Sequence, residues 1–112
     1  MNHLGNRNDR KALPLAFCLF VFSAPLWAQG NGASLFKSKC AVCHGADGSG
    51  NTAVGKSMKI RDLASADVQK QTDAELTAII TNGKGGMPAY KDKLSGDQIK
   101  DVVGFVRQLA KK

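Results

Sequence analysis

The sequence predicts a small all-α domain with long glycine-rich loops. Two segments begin with a capping box, Thr72–Glu75 and Ser95–Gln98, and apolar residues follow each of them at helical spacing. No segment alternates apolar and polar residues with the period of two that a half-buried strand requires. The fold class is therefore helices joined by loops.

The first half of the chain predicts one short helix and a long loop. Ala33–Cys40 has the small, apolar and lysine content of a brief helix. Four glycines stand among Asp, Ser, Asn and Thr over residues 45–55, which predicts a loop. Residues 65–68 are expected to form a single turn before the next helix begins.

The second half predicts two longer helices around a short loop. The helix that starts at the Thr72 capping box runs for about three turns and stops at Asn82-Gly83. Gly83–Pro88 is a second glycine-rich loop. The helix that starts at Ser95 shows the strongest period of the chain, with apolar residues at Ile99, Val102, Val103, Val106, Leu109 and Ala110.

Length and composition allow one small domain. The chain has 112 residues, a formal charge of +7 and only 6% aromatic residues. This size excludes a large multidomain enzyme. Because so few large side chains are present, the core is thin and is expected to need a bound group to complete it.

Residues 1–28 have the pattern of an export signal. Positive residues precede the apolar run Ala12–Phe22, and small Ala28 precedes the expected cleavage point. A membrane anchor is the alternative, but this run would rise only about 16 Å as a helix, roughly half of a hydrocarbon core. We expect cleavage to leave residues 29–112 as one periplasmic domain without stable membrane insertion.

The sequence Cys40-Ala41-Val42-Cys43-His44 has the C-x-x-C-H spacing of covalent haem attachment. Two thiols at this spacing near a helix end lie on one side, where each can add to a vinyl group of one porphyrin, and His44 places an imidazole under the iron. A structural disulfide or a thioredoxin-like redox pair is an alternative, although the second expects a βαβ pattern. Zinc would need four ligands, and adjacent Cys43 and His44 are poorly placed to bind it together.

A second axial ligand is expected from a methionine, Met58 or Met87. Met87 is the better candidate because Gly85 and Gly86 let the backbone approach a flat ligand and Pro88 fixes the chain direction. Its thioether is a soft ligand that favours ferrous iron. Met58 is expected to pack in the haem pocket. The alternative is that Met87 fills a gap in the core and the iron is five-coordinate.

From Ala33 to Lys112 the chain resembles a monohaem class I cytochrome c. The Met87-Pro88-Ala89-Tyr90 segment and the 94–109 stretch are similar to the small soluble bacterial and photosynthetic carriers. The resemblance implies three to five short helices around one covalently bound haem c, with the first and last helices crossing. In that family a glycine and an aromatic residue on the first helix cross an apolar and an aromatic residue on the last. The matching residues here are Gly32, Phe36, Val102 and Phe105.

Two departures from the family pattern concern the surroundings of the haem. Many relatives have a proline whose carbonyl accepts the proximal histidine N–H, but no proline stands between His44 and Pro88. We therefore expect a carbonyl within 52–55 to orient His44. The mature chain also lacks the tryptophan that binds a haem propionate in mitochondrial relatives. The candidates for that role are Arg61, Lys56 and Tyr90.

The resemblance implies one-electron transfer in the periplasm by a haem with His44 and Met87 as ligands, with no substrate turned over. The rival is a five-coordinate haem that acts as a peroxidase or gas-binding sensor. A ring of lysines is expected to steer encounter with an acidic redox donor or acceptor, and solubility alone is the competing explanation. These are Lys56, Lys59, Lys84, Lys91 and Lys93. Export and scarce aromatic residues argue against nucleic-acid binding, and we expect a monomer.

Overall fold

The computed structural model describes residues 30–111 of the chain. The predicted export signal over residues 1–28 lies outside the described residues, so its cleavage stays a prediction. Between residues 30 and 111, none of the helices combines the length and the apolar character needed to cross a membrane.

The described residues form helices and no strand, and the predicted all-α class is confirmed. They contain six helices rather than the three to five expected, because α2 and α4 are single turns of four residues and one helix was not predicted. The helices are α1 (Gly32–Lys39), α2 (Ala41–His44), α3 (Ala53–Met58), α4 (Ala66–Gln69), α5 (Asp73–Asn82) and α6 (Gly96–Leu109).

Both predicted capping boxes are present. The Thr72 N–H donates to Glu75 Oε2 at 2.8 Å, and the Glu75 N–H donates to Thr72 Oγ1 at 3.0 Å. Ser95 and Gln98 make the same reciprocal pair at 2.8 and 3.1 Å at the start of α6. These bonds satisfy backbone donors that a helix start leaves unpaired, so α5 and α6 begin where the sequence places them.

α1 packs against α6, as the resemblance implies. The rings of Phe36 and Phe105 lie 5.0 Å apart, and Phe36 is almost fully buried. A Cβ on Gly32 would collide with the carbonyl oxygen of Asp101 and crowd Phe105 Cβ. Gly32 therefore permits the close approach of the two helices, and the atoms nearest to this Cβ position belong to Asp101 and Phe105.

The core is built around one apolar face of α6. Five residues of this helix are buried, and α5 contributes Leu76 and Ile80, while α4 contributes only Val68. The buried residues of α6 are Ile99, Val102, Val103, Val106 and Leu109. α6 therefore contributes more buried side chains to the described core than any other helix.

The predicted loop over 45–55 is wrong at its end, because α3 begins at Ala53. The Thr52 hydroxyl accepts from the Gly55 N–H at 2.8 Å and donates to the Cys43 carbonyl at 2.7 Å. Gly55, which argued against a helix in the sequence, is buried where a Cβ would meet the Cys43 carbonyl. Tertiary contact with the pentad thus stabilises α3, a helix that its own six residues do not predict.

Candidate functional site

The end of α1 and the turn of α2 place the pentad Cys40–His44. The Cys40 N–H donates to the Phe36 carbonyl at 2.8 Å, and the Cys40 carbonyl accepts from the His44 N–H at 2.9 Å. Cys40 is buried and Cys43 is half-buried, and their sulfur atoms are not joined in a disulfide. One short segment therefore presents both thiols and the imidazole.

Two polar groups of the site, the Cys40 thiol and the Tyr90 hydroxyl, are electrically neutral near pH 7. Burial raises the pKa of the Cys40 thiol to about 11, and the nearby Cys43 sulfur adds to this rise. Burial also raises the pKa of the Tyr90 hydroxyl, with smaller contributions from Cys40 and Cys43. Because charged forms are disfavoured here, the site suits an apolar ring system better than a hydrated ion.

His44 is held in the form that can bind a metal. Burial lowers the pKa of its imidazole, which is therefore neutral near pH 7. Its buried Nδ1 has no hydrogen-bond partner among residues 30–111. The expectation that a carbonyl of 52–55 orients His44 is wrong in this structure. The carbonyls of Thr52 and Gly55 accept instead from N–H groups of α3 and the residue after its C-cap, Lys56 and Ile60.

Two cavities of about 400 and 290 Å³ meet at the predicted site residues. The larger one lies among apolar side chains of α1, α4, α5 and α6. Cys40, His44 and Met87 line both cavities, and Cys43 lines the smaller one. The structure therefore brings all four predicted site residues to one hollow of a size that suits a large, flat cofactor.

Main-chain hydrogen bonds fix the segment that carries Met87. Lys84 and Met87 exchange two backbone bonds, at 2.9 and 3.1 Å, around a turn made by Gly85 and Gly86. Farther on, the Tyr90 N–H donates to the Ile80 carbonyl of α5 at 2.9 Å. The Tyr90 hydroxyl donates to the Lys39 carbonyl at 3.0 Å. The Met87 segment is thus tied to both α5 and the end of α1.

Met58 lies at the end of α3, in the wall of the smaller cavity only. Its side chain is 44% exposed, and its methyl group occupies the space that a Cβ on Gly86 would need. Met87 is half-buried and packs against the core. Met58 therefore lies over the Met87 turn, and its predicted packing in the haem pocket stays a prediction.

Cationic side chains surround the two cavities. Lys84 lines both cavities, Lys59 and Arg61 line the larger one, and Lys39 lines the smaller one. Of the proposed substitutes for the missing tryptophan, Arg61 and Tyr90 line a cavity and Lys56 lines neither. The rim of the site is therefore positively charged.

The sequence named Arg61 but did not identify the apolar part of the wall formed by residues 60–71. Ile60 lines both cavities, and Leu63, Val68 and Gln71 line the larger one. Isolated apolar residues in a polar segment show no period, so only their position in the fold shows this role. The available signal was the serine that caps α4, Ser65, whose hydroxyl accepts from the Val68 N–H.

The residues present fit a haem group. A neutral imidazole and the thioether of Met87 line the same hollow as the two thiols. Within the described part of the chain, no three His, Cys, Asp or Glu side chains are grouped to hold a metal ion. The zinc alternative therefore has no site there.

Comparisons with known proteins agree with this arrangement. The family described as "Cytochrome C oxidase, cbb3-type, subunit III" matches residues 28–106. Cytochrome c6 of Gloeothece citriformis (strain PCC 7424) is 39% identical over 106 residues, which cover 88% of this chain and 90% of that protein. Cytochrome c6 of Leptolyngbya boryana is 41% identical over 81 residues, which cover 72% and 92%.

A solved structure is also similar. The KustC0563 c-type cytochrome matches with a TM-score of 0.63 and 33% sequence identity, over 70% of this chain and 95% of that one. The chain belongs to the family of cytochrome c domains whose model matches residues 28–106, and it is a small monohaem class I cytochrome c. It carries covalently bound haem c and acts as an electron carrier, not as an enzyme. The rival peroxidase or gas-sensor function is not supported.

Proposed function

We propose that Cys40 and Cys43 attach the haem and that His44 and Met87 are its two axial ligands. The observation that carries this proposal is that Cys40, His44 and Met87 line both cavities, where they meet. Each thiol would hold the haem by adding its S–H across one vinyl group, with the sulfur bonded to one carbon and the hydrogen to the neighbouring carbon. When bound, the haem supplies an iron that cycles between Fe(II) and Fe(III).

The chain's own residues set the conditions for this cycle. His44 is neutral because it is buried, and it is the sole histidine of residues 29–112. A second imidazole therefore cannot complete the ligand set. Met87 offers a soft thioether, which stabilises the ferrous form relative to bis-histidine ligation. Two backbone bonds between Lys84 and Met87 fix the turn that carries this thioether.

The location and the processing of the protein are proposed from its N-terminal sequence. Export of the chain with cleavage after Ala28 leaves residues 29–112 as a soluble, monomeric periplasmic domain. A c-type haem in that location serves electron exchange between other redox proteins. Mass spectrometry of the purified protein tests this directly, because residues 29–112 with one attached haem have a single expected mass.

The partners proposed here are acidic redox proteins that donate and accept the electron. The support is the positive rim of the site, which includes Lys39, Lys59, Arg61 and Lys84. Lys91 and Lys93 lie exposed on the segment after Met87. Such a rim raises the rate of encounter more than the affinity of the complex.

The ligand set is tested by CO binding to the reduced protein. We expect wild-type and Met58→Ala proteins to exclude CO at neutral pH, because their iron has six ligands. Met87→Ala opens the sixth position, so this variant binds CO and has a lower reduction potential. Met58→Ala is a matched control because it removes the other thioether of residues 29–112.

Two results would contradict the proposal. Rapid CO binding by the wild type would show that Met87 is not a firm ligand. CO binding by Met58→Ala but not by Met87→Ala would show that the other methionine binds the iron.

A further inference from the structure

The part of the cavity wall that contains α4 has little apolar contact of its own. α4 is a single turn, and Val68 is its one buried residue. Residues of this segment nevertheless line the larger cavity, among them Leu63 and Gln71. A helix this short is not stable by itself. Contacts with the rest of the molecule must hold it in place.

Arg107 of α6 supplies most of those contacts. Its Nη1 donates to the Gln69 carbonyl at 2.9 Å, and its Nη2 donates to the Gln71 carbonyl. Its Nε donates to Asp73 Oδ1 at 2.9 Å. One planar guanidinium thus joins three successive points of the segment that links α4 to α5.

Gln69 completes the attachment from the other side. Its Nε2 donates to the Leu63 carbonyl at 2.7 Å and to the Val106 carbonyl of α6 at 3.0 Å. Its Oε1 accepts from Arg107 Nη1 at 3.3 Å. Two side chains therefore connect the loop before α4, the loop after it and α6. We call this pair, Gln69 and Arg107, the polar clamp.

The bonds from the polar clamp to backbone carbonyls contribute more to stability than the ion pair of Arg107 with Asp73. The Asp73 side chain is 75% exposed, whereas that of Arg107 is 29% exposed. Exposed ion pairs contribute little to stability. Charge-assisted bonds to the half-buried carbonyls contribute more, because those carbonyls would otherwise lose their partner.

We propose that Arg107 is a positioning residue for electron transfer, which holds the 60–71 wall against α6 through the polar clamp and so keeps water away from the haem. The inference rests on the proposed placement of the haem in this hollow. Water stabilises the more highly charged ferric form, so a closed wall raises the reduction potential. A loosened wall lowers it without any change of axial ligand.

The test uses haem-loaded wild-type protein and the variants Arg107→Leu, Arg107→Lys and Gln69→Met. The Lys100→Leu variant is the control, because it removes one positive charge from an exposed position of α6 that lines neither cavity. Lysine keeps the charge of Arg107 but cannot donate to several carbonyls in one plane. The measurements are the reduction potential and the hydrogen exchange of the amides of residues 63–71.

We expect all three clamp variants to lower the reduction potential and to speed exchange of these amides by about tenfold or more, because each variant loses at least one hydrogen bond of the polar clamp. Lys100→Leu should leave exchange unchanged and set the size of a pure charge effect. A potential that falls in Arg107→Leu only as far as in Lys100→Leu, with Arg107→Lys unchanged, would overturn the proposal. A lower free energy of unfolding with an unchanged reduction potential would also overturn the proposal, since Arg107 would then have only a structural role.

The proposed ligand set and the proposed role of Arg107 can be refuted independently of each other. CO binding decides the ligand set and does not involve Arg107, whereas the polar clamp is judged by potentials of proteins that all retain Met87. If Arg107→Leu does not fold, Arg107→Lys and Gln69→Met still decide the result.

Discussion

Two walls of the haem site are held in different ways. The Met87 wall is fixed by backbone bonds, including the Lys84–Met87 pair and the bond from Tyr90 to Ile80. One end of the 60–71 wall is held by backbone bonds from Ile60 to Gly55 and from Leu63 to Gly48, but its α4 end depends on the side chains of Gln69 and Arg107. Backbone bonds survive most substitutions, whereas a clamp of two side chains is lost with either of them. The Met87 wall is therefore robust, and the α4 end of the other wall is adjustable.

The strongest test of this comparison is to remove the group that both walls contact. Replacing Cys40 and Cys43 by serine should abolish covalent haem and leave a largely unfolded chain, because few aromatic side chains are present to fill the hollow. Extraction in acidified acetone and circular dichroism measure the two effects. Pigment that resists extraction, or a haem-free chain as helical as the holo-protein, would show that the walls hold each other without haem.

The next largest effect is expected at the packing of α1 on α6, which supports both walls. Gly32→Ala places a methyl group against the Asp101 carbonyl and should lower the free energy of unfolding by about 1–3 kcal/mol. Gly104→Ala is the matched control in α6, since a Cβ there meets open space, and helix propensity should raise stability by up to about 1 kcal/mol. Equal effects of the two substitutions would refute the close approach.

A smaller loss is expected on the Met87 wall. Tyr90→Phe removes the hydroxyl bond to the Lys39 carbonyl and should cost about 0.5–1.5 kcal/mol of unfolding free energy. Because backbone bonds still hold the segment, the sixth ligand should remain, as judged by exclusion of CO. If Tyr90→Phe admits CO, a side chain holds this wall too and the contrast between the walls disappears.

Charge reversal beside Met87 should change rates and leave the fold alone. Lys91→Glu with Lys93→Glu should slow electron exchange with an acidic partner mainly at low salt, since the Debye length falls from about 30 Å at 0.01 M to about 10 Å at 0.1 M. Lys37→Glu with Lys100→Glu gives the same net charge at exposed positions of α1 and α6 rather than on the segment after Met87. Rates that fall equally at every ionic strength would indicate a disturbed Met87 segment instead.

The sequence predicts the parts of this molecule that local bonds determine. The capping boxes at Thr72 and Ser95 satisfy their helix starts within four residues, so α5 and α6 can be located without the fold. The haem pentad is equally local. α3 was missed because its cap, Thr52, is anchored on the distant Cys43 carbonyl.

Long-range partners could not be inferred in the same way. Gln69 and Arg107 are 38 residues apart, and a polar residue on a helix is ordinarily solvated. The expected partner of His44 failed for the same reason. A carbonyl within 52–55 was expected to accept from His44, but those of Thr52 and Gly55 accept from the N–H groups of Lys56 and Ile60.

The packing of α1 on α6 also determines when this protein can finish folding. These helices stand at opposite ends of the described chain, so the contact between Phe36 and Phe105 closes a loop that contains every other helix of residues 30–111. Closing a long loop costs chain entropy before the contact compensates for it, so this step is slow compared with the formation of a helical turn. Folding of the core is therefore limited by the meeting of its two ends rather than by the formation of any single helix.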